Sequence, residues 1–139
     1  MTIIVWRNGI IAADSQTTNG VLAGKTKKLF KLKNAAIGFA GLLTDGLKLI
    51  EFLKSDEDKP PELSEDFESL MMDLRTGKCA YYDRTLIAIK IMDKFETIGT
   101  GSELAIGAME HGATAIEAVR VAIKRDINSG GRVAVIRMK

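Results

Sequence analysis

Two β-branched apolar runs meet at Asn8-Gly9, and that junction commits the chain to begin as an antiparallel hairpin. Thr2-Ile3-Ile4-Val5-Trp6 reads as one strand and Ile10-Ile11-Ala12-Ala13-Asp14 as the next. Asn-Gly between such runs is the strongest short-range hairpin signal, because both residues tolerate positive φ. Two registers are open. A two-residue turn at Asn8-Gly9 pairs Arg7 with Ile10 and Thr2 with Ser15, and leaves Asp14 facing away from Thr2. A three-residue loop at Arg7-Asn8-Gly9 pairs Trp6 with Ile10, and Thr2 with Asp14 on one face. A slip of one residue moves every side chain to the other face.

The rest of the chain divides by hydrophobic period. Residues 15–24 are polar and contain glycine, so a loop is expected. Lys27 to Leu32 alternates basic and apolar as a half-exposed strand does. Ala35-Ala36-Ile37-Gly38-Phe39-Ala40 suits a strand buried on both faces. From Gly41 the period changes: Leu43, Leu47 and Ile50, widened by Leu42, Leu49 and Leu53, form the stripe of a helix running to Lys54. Residues 55–66 are acidic, carry Pro60 and Pro61, and read as a loop. Phe67 to Leu74 and Cys79 to Tyr82 flank Arg75-Thr76-Gly77-Lys78 as a second hairpin. Thr85 to Ile91 and Phe95 to Ile98 are further strands. Ser102 is placed to cap a helix ending at Gly112. Thr114-Ala115-Ile116-Glu117 is a capping box opening a helix with the stripe Ile116, Val119 and Ile123. Arg132 to Met138 closes the chain as a strand. Helices come in blocks rather than after every strand, which argues for an α+β fold with mostly antiparallel sheets. Two stacked sheets with helices outside accommodate the order.

At 139 residues the chain is expected to form one domain over 1–139, with one core that needs no disulfide. The net charge of +2 gives no field that points to nucleic acid or a membrane surface. No apolar run approaches the roughly 18 residues of a membrane span, and no signal-peptide pattern opens the sequence, so a cytoplasmic location is expected. One cysteine and one histidine leave no multi-cysteine or two-histidine metal motif, and no cofactor is expected. His111 sits beside Gly112 at a helix end, where it meets the last carbonyls and the dipole. Cys79 has no evident histidine partner and reads as a structural thiol. The lysines 25, 27, 28, 31 and 33 read on their own as a solvated strand face.

That leaves Thr2 as the candidate nucleophile. Methionine ahead of a small residue is normally trimmed, and trimming gives Thr2 a free α-amine beside its own hydroxyl. That pairing is a nucleophile with a built-in base. The amine's ordinary pKa, about 7.7–8.0, already lies near working pH.

The order of motifs along nearly the whole chain resembles the β-type subunits of proteasomes and the bacterial HslV peptidase. The matching stretches are Thr2-Ile3-Ile4-Val5, Arg7-Asn8-Gly9 with Ile10 to Ser15, Gly24-Lys25-Thr26-Lys27-Lys28-Leu29, Gly38-Phe39-Ala40-Gly41 with Asp45, Gly99-Thr100-Gly101-Ser102, and Arg125-Asp126-Ile127-Asn128-Ser129-Gly130-Gly131. The compact chain is similar to the short proteasome-like proteins of bacteriophages and prophages. The resemblance implies a four-layer αββα sandwich of the N-terminal-nucleophile (Ntn) hydrolase type. It implies that Thr2 is the nucleophile, that Lys28 sits beside it, and that Asp14 holds Lys28. It implies that the Gly41 N–H stabilises the oxyanion, and that Asp126 and Ser129 orient the amine. Thr100 or Ser102 takes the place of a serine near that amine. The family role of Asp14 favours the three-residue hairpin register, which is therefore predicted. A second helix common in relatives is largely replaced here by residues 55–66.

These roles are physically coherent. An ammonium about 4 Å from the threonine amine opposes its protonation by roughly 4 kcal/mol at an effective dielectric of about 20, which favours a proton-accepting amine. A buried lysine needs a carboxylate to stay charged, which gives Asp14 its purpose. The expectation is a threonine peptidase acting within a homo-oligomer on peptides or unfolded protein, with an ATPase unfoldase as a possible partner. The alternatives are a catalytically silent assembly subunit and an amidase for small substrates.

Overall fold

The computed structural model describes residues 2–19 and 22–139; Met1, Gly20 and Val21, the last two within the expected 15–24 loop, lie outside them. The order is β1 (Ile4–Arg7), β2 (Ile10–Ala13), β3 (Gln16–Asn19), β4 (Leu22–Lys25), β5 (Leu29–Lys31), β6 (Ala35–Ala40), α1 (Leu43–Lys54), β7 (Glu68–Asp73), β8 (Cys79–Asp83), β9 (Ile89–Lys90), β10 (Phe95–Ile98), α2 (Ser102–Glu110), α3 (Ala115–Arg125) and β11 (Ala134–Arg137). One sheet runs β10-β1-β2-β11 and the other β5-β6-β7-β8-β9, with β3 and β4 as a separate pair. Every pairing is antiparallel.

Period-two alternation builds the layers. Ile4, Trp6, Ile11 and Ala13 face the second sheet and pack on Leu29, Ala36, Leu70, Met72 and Leu74. Ile3, Val5 and Ala12 face the other way, onto Ala105 and Met109 of α2 and Ala115, Ala118, Val119 and Ala122 of α3. The run of alanines lets both helices lie close to the sheet. On the far side, Leu49 and Ile50 of α1 cover Ile37, Phe39 and Phe67. The stack is therefore helix, sheet, sheet, helix pair, the expected αββα sandwich. Burial of each large side chain contributes about 1.5–3 kcal/mol, so the apolar layers hold the fold together.

The topology gathers chain ends. Ile4 pairs with both Ile98 and Ala13, and Ala134 also pairs with Ala13. The start of β1, the ends of β2 and β10, and the approach to β11 thus meet at one end of their sheet. In the facing sheet Leu29 pairs with Gly38, so the start of β5 and the end of β6 coincide as well.

Several local expectations are corrected. The hairpin takes the two-residue register: Arg7 pairs with Ile10 and Ile4 with Ala13. Asn8 (φ 51°) and Gly9 (φ 72°) both sit at positive φ, the turn whose twist matches the strands. Residues 16–19 and 22–25 pair as β3 and β4 rather than forming a loop; Gln16-Thr17-Thr18-Asn19 has no apolar alternation to announce a strand. Thr85 to Ile91 is strand only at Ile89–Lys90, because Thr85 folds back on the Asp83 carboxylate and Leu86 turns at φ 58°. The first helix begins at Leu43, since Gly41 lies at φ +108°. Ser102 is the first residue of α2 and Gly101 its cap, with no side-chain cap bond. The Thr114–Glu117 capping box forms as expected.

Candidate functional site

The gathered ends bring together the residues named from the sequence. Asp14 is the hub and is fully buried. Its Oδ1 accepts from the Thr2 hydroxyl at 2.7 Å, from the Lys28 ammonium at 2.8 Å and from the Ile3 N–H at 3.1 Å. Its Oδ2 accepts from the Gly130 N–H at 3.0 Å and the Gln16 N–H at 3.3 Å. Five donors onto one carboxylate explain how a charge can sit here without water.

The two-residue register carried the expectation that Asp14 would face away from Thr2. That expectation fails because the ladder frays at Asp14: its N–H still donates to Ile3 O at 3.2 Å, but the Ile3 N–H is given to the Asp14 carboxylate instead of to its backbone. β2 ends at Ala13, and the chain then turns, with the Ser15 N–H donating to Gly130 O at 3.0 Å. Strict alternation governs a strand, not the residue after it.

Lys28 is 5% exposed, whereas its neighbour Lys27 is exposed and lies 4.8 Å over the Phe30 ring. Lys25, Lys31 and Lys33 are exposed too, so one member of the basic run is buried and the others are solvated. Burial holds the Lys28 pKa below the ordinary lysine value, against the opposing pull of Asp14 and Asp126. Because the Thr2 hydroxyl and the Lys28 ammonium share one oxygen, they are no further apart than those two hydrogen bonds together.

A second group lies against Thr2. The Ser129 hydroxyl donates to Asp126 Oδ2 at 2.6 Å. The Thr100 hydroxyl is 2.9 Å from the same oxygen and 3.4 Å from Thr2 O. It has one proton, and the shorter, charge-assisted contact with Asp126 wins. Thr100, rather than Ser102, is the residue whose hydroxyl is bonded into this group. The Gly101 N–H also donates to Thr2 O, at 3.3 Å. Partial burial raises the Asp126 pKa, but the hydroxyls of Ser129 and Thr100 and the Asn128 N–H outweigh it and hold the carboxyl below its ordinary value. A depressed carboxylate stabilises the fold above its unfolded pKa, and that stability is lost as pH falls through the folded value. Thermal melts are therefore expected to show Tm falling below about pH 4, with the fall shallower in Asp126→Asn; an identical pH dependence in the variant would contradict this assignment.

Gly41 forms the opposite wall. At φ +108° it takes a backbone conformation that suits glycine. A Cβ there would also lie 3.3 Å from Asp66 O and 3.5 Å from Phe67 Cα. Among the described residues nothing accepts from its N–H. Between Gly41 and Thr2 lies a pocket of about 200 Å³ lined by Thr17, Thr26, Lys28, Phe39, Ala40, Leu42 and Leu43 as well.

Other candidates lie elsewhere. His111 is the exposed C-cap of α2, its N–H donating to Ala108 O. Cys79 is buried in the inter-sheet core; burial, helped by Glu96, pushes its thiol up to about 12, which leaves no thiolate at neutral pH. Among the described residues no three or more His, Cys, Asp or Glu side chains are grouped to hold a metal ion. No described helix is long and apolar enough to cross a membrane.

No protein-family model and no curated protein sequence is significantly similar to the chain. Solved structures are. BPH of Thiobacillus denitrificans has a TM-score of 0.74 at 18% identity, with 99% of this chain and 98% of that one covered. It matches equally in complex with epoxomicin, at 19% identity. HslV of Trypanosoma brucei gives 0.72 at 20% identity, covering 97% of each chain. The Anbu (Gly-1) mutant from Hyphomicrobium sp. strain MC1 gives 0.79 at 13% identity, covering 99% of this chain and 81% of that one. The chain shares the fold of these structures, an αββα sandwich with antiparallel sheets.

Proposed function

We propose that the chain is a threonine-type peptidase subunit in which Thr2, once its amine is freed by removal of Met1, attacks peptide carbonyls. The observation that carries this reading is the shared oxygen: the Thr2 hydroxyl and the Lys28 ammonium, both lining the Gly41 pocket, donate to Asp14 Oδ1.

In the proposed sequence the Thr2 amine accepts the hydroxyl proton as Oγ1 bonds to the substrate carbonyl carbon. The negative charge that develops on the carbonyl oxygen is met by the Gly41 N–H. The amine passes its proton to the departing nitrogen as the C–N bond breaks, leaving an ester on Thr2. Water, activated by the same amine, hydrolyses the ester and restores the hydroxyl. Lys28, held by Asp14, opposes protonation of the amine while it is charged. Asp126, Ser129 and Thr100 orient the amine. Phe39, Leu42 and Leu43 in the pocket favour an apolar side chain on the acyl side of the cleaved bond.

The substrate is a peptide or unfolded protein, and the working form is a homo-oligomer in the cytoplasm, served where needed by an ATPase unfoldase. Leu42, Leu43, Leu47 and Leu53 stand exposed on and beside α1, an apolar surface that suits contact with another subunit. The test is hydrolysis of unstructured peptides by Met1-free protein, with mass in solution measured alongside. Cleavage by an assembly supports the proposal. Cleavage of small amides alone by a monomer or dimer gives the amidase reading, and a processed but inert assembly gives a silent scaffold.

A further inference from the structure

We infer that Asp45 is a positioning residue for the Gly41 donor, acting through the backbone segment packed behind it. This rests on the peptidase reading above, in which Gly41 meets the oxyanion. Asp45 is 3% exposed and takes no part in the Asp14 or Asp126 groups. It lies in the first turn of α1, where a carboxylate is also favoured by the helix dipole.

Asp45 links the two sides of the Gly41 turn. Its N–H donates to Leu42 O at 3.1 Å, a backbone bond to the residue after Gly41 that any side chain at position 45 would keep. Its Oδ2 accepts from the Ser64 N–H at 3.0 Å, which fixes the loop after α1 near its far end. From Ser64 the hold passes on: the Phe67 N–H donates to Ser64 O at 3.1 Å. Asp66 O and Phe67 Cα are the atoms that a Cβ on Gly41 would meet, at 3.3 and 3.5 Å. The turn that aims the Gly41 N–H thus lies between α1 and residues 64–67, and the Asp45 side chain ties the two together through Ser64.

The β6–β7 ladder, in which Ala40 pairs with Glu68, and the buried Phe67 side chain hold the end of this loop, so the Asp45 side chain acts on the stretch just before it, residues 64–66. Residues 55–66 carry two prolines and the acidic side chains of Asp56, Glu57, Asp58, Glu62, Glu65 and Asp66, which repel one another. A backbone donor aimed at a transition-state oxygen must be placed within a few tenths of an ångström, and its loss typically costs about 100- to 1,000-fold in rate.

The test is Asp45→Ala beside Asp45→Asn, which keeps an acceptor oxygen for Ser64. Asp45→Ala is expected to lower kcat about 100-fold with KM changed less than about threefold, and Asp45→Asn to recover most of the loss. The resting protein gives a second readout independent of turnover: the Gly41 amide resonance is expected to shift and its hydrogen exchange to quicken in Asp45→Ala, and to return in Asp45→Asn. An undisturbed Gly41 amide in folded Asp45→Ala overturns the inference, as does an unchanged kcat. If the parent protein cleaves no peptide, the peptidase reading falls, and the amide measurement still decides whether Asp45 places Gly41.

Discussion

Thr2→Ala is expected to lower kcat/KM on an unstructured peptide by about 10⁴- to 10⁶-fold, the scale seen when a catalytic nucleophile is deleted. The fold should survive. Thr2 adds one hydrogen bond to a carboxylate that keeps four other donors, and a typical net hydrogen bond contributes about 1 kcal/mol. Thr2→Ser retains the hydroxyl and the amine and should keep measurable activity. The check is a progress curve for all three proteins after Met1 removal has been verified. Loss in Thr2→Ala with an unchanged melting transition separates chemistry from folding; residual activity within tenfold of the parent would mean that another group attacks the substrate.

The second large effect is on stability. Asp14→Ala removes the acceptor for five donors at a site with no water access, and takes from buried Lys28 its carboxylate at 2.8 Å. Breaking such a pair by deleting one partner costs about 3–5 kcal/mol, a large share of the roughly 5–15 kcal/mol available to a domain. Urea denaturation should show that loss. Lys28→Met in the same background should restore part of it, because the buried charge is then gone as well. A loss below about 1 kcal/mol in Asp14→Ala, or no recovery in the double variant, would mean that the hub is solvated in solution and the site is not held as described.

Local signals gave the parts of the fold that local physics decides. Asn8-Gly9 encoded its own turn, and the two-residue register is the one that dipeptide prefers. The longer loop would bring Thr2 and Asp14 together as a cross-strand pair; the chain joins them instead where the ladder frays, with the Asp14 N–H on Ile3 O and its carboxylate on the Thr2 hydroxyl and the Ile3 N–H. The Thr114 capping box and the α1 stripe were legible for the same reason: each is complete within a few residues. The β3–β4 pair was not, since a polar run pairs only because its partner is there. The site was legible only as a set of positions. Asp14 meets Gly130 across 116 residues of sequence, and Thr100 meets Asp126 across 26. No periodicity encodes such meetings; the order of motifs suggested them, and the coincidence of strand ends brings them about. The tie between Asp45 and Ser64 had no signal at all, because its acceptor is a side chain and its donor a loop N–H.

The proposed chemistry requires a free amine and hydroxyl at Thr2, and mass spectrometry reads both directly. Protein with peptidase activity, treated with an N-terminal-threonine-directed electrophile and digested, should yield one adduct, on the peptide that begins at Thr2 and lacks Met1, with activity lost in proportion to labelling. Full peptidase activity in protein that still carries Met1, or inactivation by an adduct on any other residue, would contradict it.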